Sequence, residues 1–395
     1  MGHDAWESAA SDWLNQLSAK SLRRTRRVVS AIDATHVEID GQRLVNFSSN
    51  NYLGLSHHPS VVDACCDALR ANGVGVGAAP LVTGHTTLHA EAERRLAAWK
   101  QTESAILLPS GYQANLAVVQ ALAAIAEHQG RPIRFLLDKL CHASLIDAVR
   151  ASSVAFRVFP HNGMVKLGRL LAEADGGQIQ VVVTESIFSM DGDAAPLKAL
   201  SLLKLQYSFL LLLDEAHSSG VYGAAGRGLG DELGIEPPGD VSIVTLSKAF
   251  GCGGGAVCGS QVFCDAVVNA ARAYIFSTAP PPVIPAALVA GLNVMENEPD
   301  LQIRLRASSR WVRERLLRLG FEISDGDSPI IPVVLGDAAR AVQAAASLYA
   351  DGQLCVAIRP PTVPPNTSRL RITISAKHSD AELESLVRSL HRLRT

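Results

Sequence analysis

Asp214 ends the apolar run FLLLL and opens the stretch DEAHSSG, which also carries His217. Lys248 stands in TLSKAFG, directly after another apolar run, SIVTL. An acid, an imidazole and an amine therefore follow the ends of neighbouring hydrophobic segments. Asp-Glu-Ala-His is also the acidic signature of one class of nucleic-acid helicases, where the first acid holds Mg²⁺ beside a nucleotide. A motor of that kind needs a phosphate loop ending in Gly-Lys-Ser/Thr. The dipeptide Gly-Lys occurs nowhere in the chain, and neither does the His-Glu of an H-E-x-x-H metalloprotease. GVGVGA (73–78) and GCGGGA (251–256) fit the loose pattern G-x-G-x-x-A. Neither lies cleanly between a strand and a helix, and a turn or a close backbone approach explains them more simply.

A different chemistry suits the same residues. A lysine amine forms a Schiff base with the aldehyde of pyridoxal 5′-phosphate, whose ring then serves as an electron sink. The ring works this way when a carboxylate keeps its pyridine nitrogen protonated, and Asp214 at a strand end suits that task. His217, three residues on, can hydrogen-bond the phenolic oxygen. Taken singly, Lys248 reads as a surface lysine and Asp214 as a helix cap. A strand followed by Asp-x-x-His, a second followed by Ser-Lys, and a glycine-rich turn together point to the cofactor.

The elements that must hold these groups are legible in the hydrophobic pattern. FLLD, VVVTES and FLLLLDEAH are short, continuously apolar runs that end in polar residues. Continuous rather than alternating apolarity marks strands covered on both faces, hence a mostly parallel sheet in an α/β fold. Ligands gather at the carboxyl ends of such strands, where Asp138, Glu185, Asp214 and Lys248 all fall. Upstream, residues 5–28 read as one helix ending in Arg23, Arg24, Arg26 and Arg27. VEIDGQRLVNFSS reads as a hairpin turning at Asp40-Gly41. Pro59 opens a helix, and Leu88, Ala92, Leu96 and Trp99 mark the buried face of another. Past residue 279 the proline-rich APPPVIPAA reads as a boundary, followed by a smaller α+β lobe. Its last helix starts with the capping box SDAE and carries a stripe of Leu383, Leu386, Leu390 and Leu393. The expected division is 1–45, an N-terminal helix and hairpin segment; 46–280, a large cofactor-binding domain; and 281–395, a small C-terminal domain.

Composition narrows the class. The chain has 395 residues, 48% of them hydrophobic, and a formal net charge of −2, so no general basic field for nucleic acid exists. No signal-peptide core and no apolar run near the roughly 18 residues of a membrane span is present, and the expectation is a cytoplasmic protein. The seven cysteines contain no C-x-x-C pair and read as thiols in a reducing compartment, with no metal site.

NFSSNNYLGLSHHP, PSGYQAN, HASLIDAVRAS, ESIFSMDGDAAPL, DEAHSSGVYGAAGRG and TLSKAFG occur in this order along the chain. Together they resemble the α-oxoamine synthases, pyridoxal-phosphate enzymes of fold type I (aspartate aminotransferase-like), over almost the whole length. AIRPPTVPPNTSRLRITISA is similar to the biotin-pathway branch of that family. The resemblance implies that Lys248 carries the cofactor and serves as acid and base, with Asp214 on the pyridine nitrogen. It implies that His142 stacks on the ring and also meets substrate. Gly111 and Tyr112 would offer backbone amides to the phosphate at a helix start. Ser189, His217 and Thr245 would hydrogen-bond the cofactor. Ser277 and Thr278 would reach the phosphate of a neighbouring subunit, which implies a homodimer with shared sites. Arg359 would bind the amino-acid carboxylate, and Arg23 and Thr362 the acyl substrate. The implied substrates are L-alanine and a pimeloyl thioester of coenzyme A or an acyl carrier protein, giving 8-amino-7-oxononanoate. The sequence departs from the family's glycine/serine-rich stretch at GVGAAPLVTGH, where Ala79 and Pro80 replace small polar or glycine positions.

Overall fold

The computed structural model describes residues 3–394 apart from 238 and 325. The chain separates into two units. The larger holds 51–189 and 193–303; the smaller holds 1–50, 190–192 and 304–395.

The larger unit is built on seven strands: β1 (Ser104–Leu108), β2 (Ile133–Asp138), β3 (Ala155–Phe159), β4 (Ile179–Glu185), β5 (Leu210–Asp214), β6 (Val241–Thr245) and β7 (Gly255–Gly259). Their order across the sheet is β1-β7-β6-β5-β4-β2-β3. β2 to β6 run parallel, and β7 is antiparallel to both β1 and β6. The strands Val181–Val183, Leu211–Leu213 and Ile243–Val244 are buried through both faces, as continuous apolarity requires. The helix Gly111–His128 presents Ala114, Ala117, Val118 and Ala121, all fully buried, to the same core. Alanines on that face let the helix lie close to the sheet, and larger side chains there would overpack it at a cost of about 1–3 kcal/mol. Register pairs Glu185 with Asp214 and Asp214 with Ile243. Two carboxylates thus end adjacent parallel strands at the edge where ligands bind in such sheets.

The proline-rich stretch does not divide the units. The helix Val283–Asn297 that follows it buries Ala287, Leu288, Leu292 and Val294 and packs against Pro59–Asn72 and Thr87–Lys100 of the larger unit. The division falls after Ile303 instead.

In the smaller unit, Ile330–Gly336, Ser368–Thr373 and Ala357–Ile358 form an antiparallel sheet with Ser368–Thr373 in the centre. The hairpin of His36–Ile39 and Gln42–Asn46 turns on Asp40 (φ 52°) and Gly41 (φ 77°), the paired positive angles of a type I′ turn. Gln353–Leu354 adds to it in parallel. This pairing joins the first 45 residues to the C-terminal part of the chain within one unit. The last helix, Asp380–Arg392, has the expected capping box of Ser379 and Glu382, with Leu383, Leu386 and Leu390 buried.

The N-terminal helix is shorter than its sequence suggests. It spans His3–Ala19, and Ser21 turns left-handed (φ 54°) as Leu22 N–H closes on the Leu17 carbonyl. The apolar periodicity ends there, and Arg23, Arg24, Arg26 and Arg27 would place like charges three and four positions apart on a helix surface. Residues 22–29 run on without regular structure, so Arg23, Arg24, Arg26 and Arg27 lie beyond the helix. No helix among the described residues is long and apolar enough to cross a membrane. None of their His, Cys, Asp and Glu side chains form a group able to hold a metal ion.

Candidate active site

Asp214 ends β5 as a residue only 5% exposed, and a buried carboxylate there would be costly without partners. Both oxygens have one. Oδ1 accepts from the Ala216 backbone N–H at 3.0 Å, and Oδ2 accepts from Asn115 Nδ2 at 2.9 Å. Asn115 comes from the second turn of the helix Gly111–His128. Its Nδ2 also donates to Ser144 Oγ at 2.9 Å, and Ser144 Oγ lies 2.7 Å from His142 Nδ1. A chain of hydrogen bonds therefore links Asp214 to His142. His142 caps the helix Ala143–Ala151, its Nδ1 also accepting from the Ser144 backbone N–H at 3.2 Å. Its ring stays accessible to solvent. Even so, it sits deep enough that burial lowers its pKa below the ordinary imidazole value. The charge of Asp214 opposes that lowering and the charge of Lys248 adds to it.

His217 is buried on the turn after β5, and Tyr52 Oη stands 2.5 Å from its Nδ1. Lys248 lies in the turn that follows β6, where Gly251 N–H bonds back to the Lys248 carbonyl at 2.9 Å. Glu185 ends β4 beside Asp214. Burial pushes its pKa well above the usual carboxylate range, the neighbouring Asp214 charge adding to the shift and Lys248 opposing it. Its Oε2 accepts from the Ser189 backbone N–H at 3.2 Å, while its buried Oε1 has no hydrogen-bond partner among the described residues.

The second acid of the DEAH stretch serves a different end. Glu215 Oε2 pairs with Lys100 Nζ at 2.5 Å, with side chains 0% and 3% exposed, and Lys100 also donates to the Arg227 carbonyl. The backbone of Gly228 (φ 129°) lies so close to this pair that a Cβ there would collide with Glu215 Oε1. The pair fastens the turn after β5 to the end of the helix Thr87–Lys100.

The helix Gly111–His128 begins beside this cluster, capped by Ser110 Oγ accepting from Gln113 N–H at 3.2 Å. A Cβ on Gly111 would overlap Thr245 Oγ1, and one on Gly255 would overlap the Gly111 backbone. The helix start is thereby pressed onto the ends of β6 and β7, with its first amide groups available for an anion. Tyr112 is 46% exposed, its hydroxyl donating to Asp147 at 2.8 Å. Ser277 Oγ accepts from Gln113 Nε2 at 3.0 Å, and Thr278 is exposed.

The structure thus gathers Gly111, His142, Ser189, Asp214, His217, Thr245 and Lys248 at the strand ends of one unit. The expected substrate-binding residues Arg23, Arg359 and Thr362 lie in the smaller unit, where they line a cavity of about 590 Å³. Arg24 and Arg27 line it too, and no acid does. Arg359 donates to the Ser21 carbonyl, and burial, then the nearby Arg24 charge, lowers its pKa. Arg24 donates to the Pro360 carbonyl at 3.2 Å and to Thr362 Oγ1 at 3.4 Å. Pro80, at the departure from the family pattern, opens a π-turn spanning Pro80–Gly84. Sequence reasoning missed Tyr52, Asn115 and Ser144, although all three lie inside the motifs NNYLGL, PSGYQAN and HASL.

These features fit pyridoxal phosphate on their own terms. A doubly anchored buried carboxylate suits a pyridine nitrogen, a helix start pressed against the sheet suits a phosphate, and a lysine stands after the neighbouring strand. The family model for aminotransferase class I and II matches residues 42–390. The 8-amino-7-oxononanoate synthase of Anaeromyxobacter dehalogenans is 42% identical over 385 residues, 96% of this chain and 95% of that one. Serine palmitoyltransferase from S. paucimobilis, solved with a PLP–myriocin aldimine, superposes with a TM-score of 0.91 at 28% identity, covering 99% of this chain and 97% of that one. The 8-amino-7-oxononanoate synthase of Francisella tularensis superposes with a TM-score of 0.74 at 26% identity, covering 88% and 97%. The chain belongs to the aminotransferase class I and II family, as one of its α-oxoamine synthases: a pyridoxal-phosphate-dependent, acyl-transferring enzyme of fold type I.

Proposed function

We propose that the protein condenses L-alanine with a pimeloyl thioester, of coenzyme A or an acyl carrier protein, to give 8-amino-7-oxononanoate, CO₂ and the carrier's free thiol, a step of biotin biosynthesis. The relative 42% identical over 96% of the chain carries the choice of substrates. The anchoring of Asp214 beside Lys248 supports the reaction type.

Pyridoxal phosphate, when bound, supplies an aldehyde for covalent capture and a ring that takes up electron density from the amino acid's Cα. Asp214, its carboxylate held in place by Asn115 and Ala216, would accept a hydrogen bond from the pyridine nitrogen and keep it protonated. Lys248 Nζ would hold the cofactor's aldehyde, and its amine, when neutral, would take the Cα proton of L-alanine and return one. His142 would stack on the ring, and His217, Ser189 and Thr245 would hydrogen-bond the cofactor. The Gly111 and Tyr112 amides would receive the phosphate. Ser277 and Thr278 reach the phosphate of a second subunit, so the working form is a homodimer. Arg359 exchanges the Ser21 carbonyl for the carboxylate of alanine, where its planar fork binds two oxygens. Arg23 and Thr362 contact the acyl chain.

The TM-score of 0.91 to serine palmitoyltransferase favours a second reading, condensation of serine with a long acyl-CoA. Steady-state assays of alanine, glycine and serine against pimeloyl-, acetyl- and palmitoyl-CoA separate the two. Alanine with pimeloyl-CoA is expected to give the highest kcat/KM, and a higher value for serine with palmitoyl-CoA sinks the proposal. Intact mass after borohydride reduction tests the covalent attachment. The wild type is expected to gain one cofactor mass, and Lys248→Ala none.

A further inference from the structure

We propose that Ser144 and Tyr52 are positioning residues that hold both imidazoles of the site, His142 and His217, as tautomers with the proton on Nε2. The inference rests on the cofactor site described above and adds the protonation geometry of its two histidines.

For His142 the hydrogen bonds can be counted donor by donor. Asp214 is a carboxylate and accepts only, so the Asn115 group 2.9 Å from its Oδ2 is the amide NH₂. The same NH₂ gives its other hydrogen to Ser144 Oγ at 2.9 Å. The hydroxyl hydrogen of Ser144 is then left for His142 Nδ1 at 2.7 Å. The Ser144 backbone N–H points at that nitrogen as well, at 3.2 Å. A ring nitrogen that accepts two donors carries no proton, so the proton of the neutral ring resides on Nε2. Asn115 is 2% exposed and Ser144 1%, so the donors of these bonds are sheltered from water. The lowered pKa of His142 agrees with a neutral ring.

For His217 the partner is Tyr52, 0% exposed and 2.5 Å from Nδ1. In the proposed arrangement the Tyr52 hydroxyl donates along this short contact, Nδ1 accepts, and Nε2 again bears the hydrogen. The two residues share no sequence neighbourhood, yet both set a hydroxyl behind Nδ1. The outcome is two N–H donors of fixed direction: His217 for the phenolic oxygen, and His142 for an oxygen of the substrate. A histidine free to change tautomer would offer that donor only part of the time.

The test is ¹⁵N NMR of the full-length cofactor-loaded protein carrying [¹⁵N]histidine, with the two rings assigned by loss of signal in His142→Gln and His217→Gln. Both rings are expected to show a pyridine-type Nδ1 and a pyrrole-type Nε2. A pyrrole-type Nδ1 on either ring of the wild type overturns the proposal. Ser144→Ala and Tyr52→Phe should each give mixed tautomers at their own histidine only, with kcat lowered about tenfold, the scale of one oriented hydrogen bond. Ser144→Thr, which keeps the hydroxyl, should restore the single tautomer. Unchanged tautomers in both Ser144→Ala and Tyr52→Phe would also overturn it. The borohydride mass experiment reads the cofactor site separately, so failure of one reading is distinguishable from failure of the other.

Discussion

The two units treat their polar groups differently. In the larger unit Asp214, His142 and His217 are each fixed by named partners, and these partners are themselves buried. In the smaller unit Arg23 and Thr362 are exposed, and Arg359 rests against a single backbone carbonyl. The contrast fits a division of work. Groups that govern the electronics of a ring must have one protonation state and one direction. Groups that hold a charged substrate need the right sign and room to adjust, which arginine supplies through a long side chain and a planar fork.

Substitutions can break or sharpen this contrast. The largest expected effect is that of Asp214→Asn, which removes the charge proposed to face the pyridine nitrogen while keeping the shape. kcat should fall by about 10²–10³, the scale of losing one preorganised electrostatic group, with KM for alanine nearly unchanged. A comparable fall in kcat/KM that resides wholly in KM would erase the distinction between the units. Lys100→Met should follow, leaving Glu215 buried without its ion partner. Urea unfolding should show a loss of about 3–5 kcal/mol, and Lys100→Met/Glu215→Leu should recover most of it. Next, Arg359→Lys keeps the charge but loses the fork. KM for alanine should rise about tenfold with kcat changed less than threefold, since uniform binding affects KM alone. A kcat collapse in this variant would place Arg359 with the rigid group instead.

The smallest effect concerns His161, again in the larger unit. Its ring lies between Asp138 at 3.0 Å and Asp193 at 2.8 Å. Burial opposes its charge, but the two acids outweigh burial and raise its pKa to about 10. A folded pKa above the unfolded one contributes stability that is complete below about pH 6.5 and is lost as pH climbs towards 10. Melting temperature should therefore decline between pH 7 and 10 in the wild type. The decline should be flatter in His161→Gln. Equal slopes would show that the two acids do not hold the ring charged.

Much of the larger unit was legible because its signals are local. Each strand end is a short apolar run closed by a polar residue, and Asp214, His217 and Lys248 sit directly at those ends. The hairpin turn at Asp40-Gly41 and the capping box at Ser379 are likewise matters of a few adjacent residues. The supporting residues were not legible, since Asn115 meets Asp214 across 99 positions and Tyr52 meets His217 across 165. Nothing in the local pattern marks such partners. The N-terminal helix was read too long for a related reason: arginine favours helices, and nothing near Ser21 announces the left-handed turn or the bond that Arg24 makes with Pro360. The proline-rich stretch misled in the opposite sense. Pro282 and Pro285 occupy the start of a helix, where proline is tolerated, so their presence did not end the larger unit.

A methyl group on Gly255 would run into the Gly111 backbone, and one on Gly111 would run into the Thr245 hydroxyl. Laboratory evolution of new acyl or amino-acid preferences will find these two codons immovable. Variation will have to enter through the arginine-lined cavity, where Arg23, Arg24, Arg27 and Arg359 stand among smaller apolar residues.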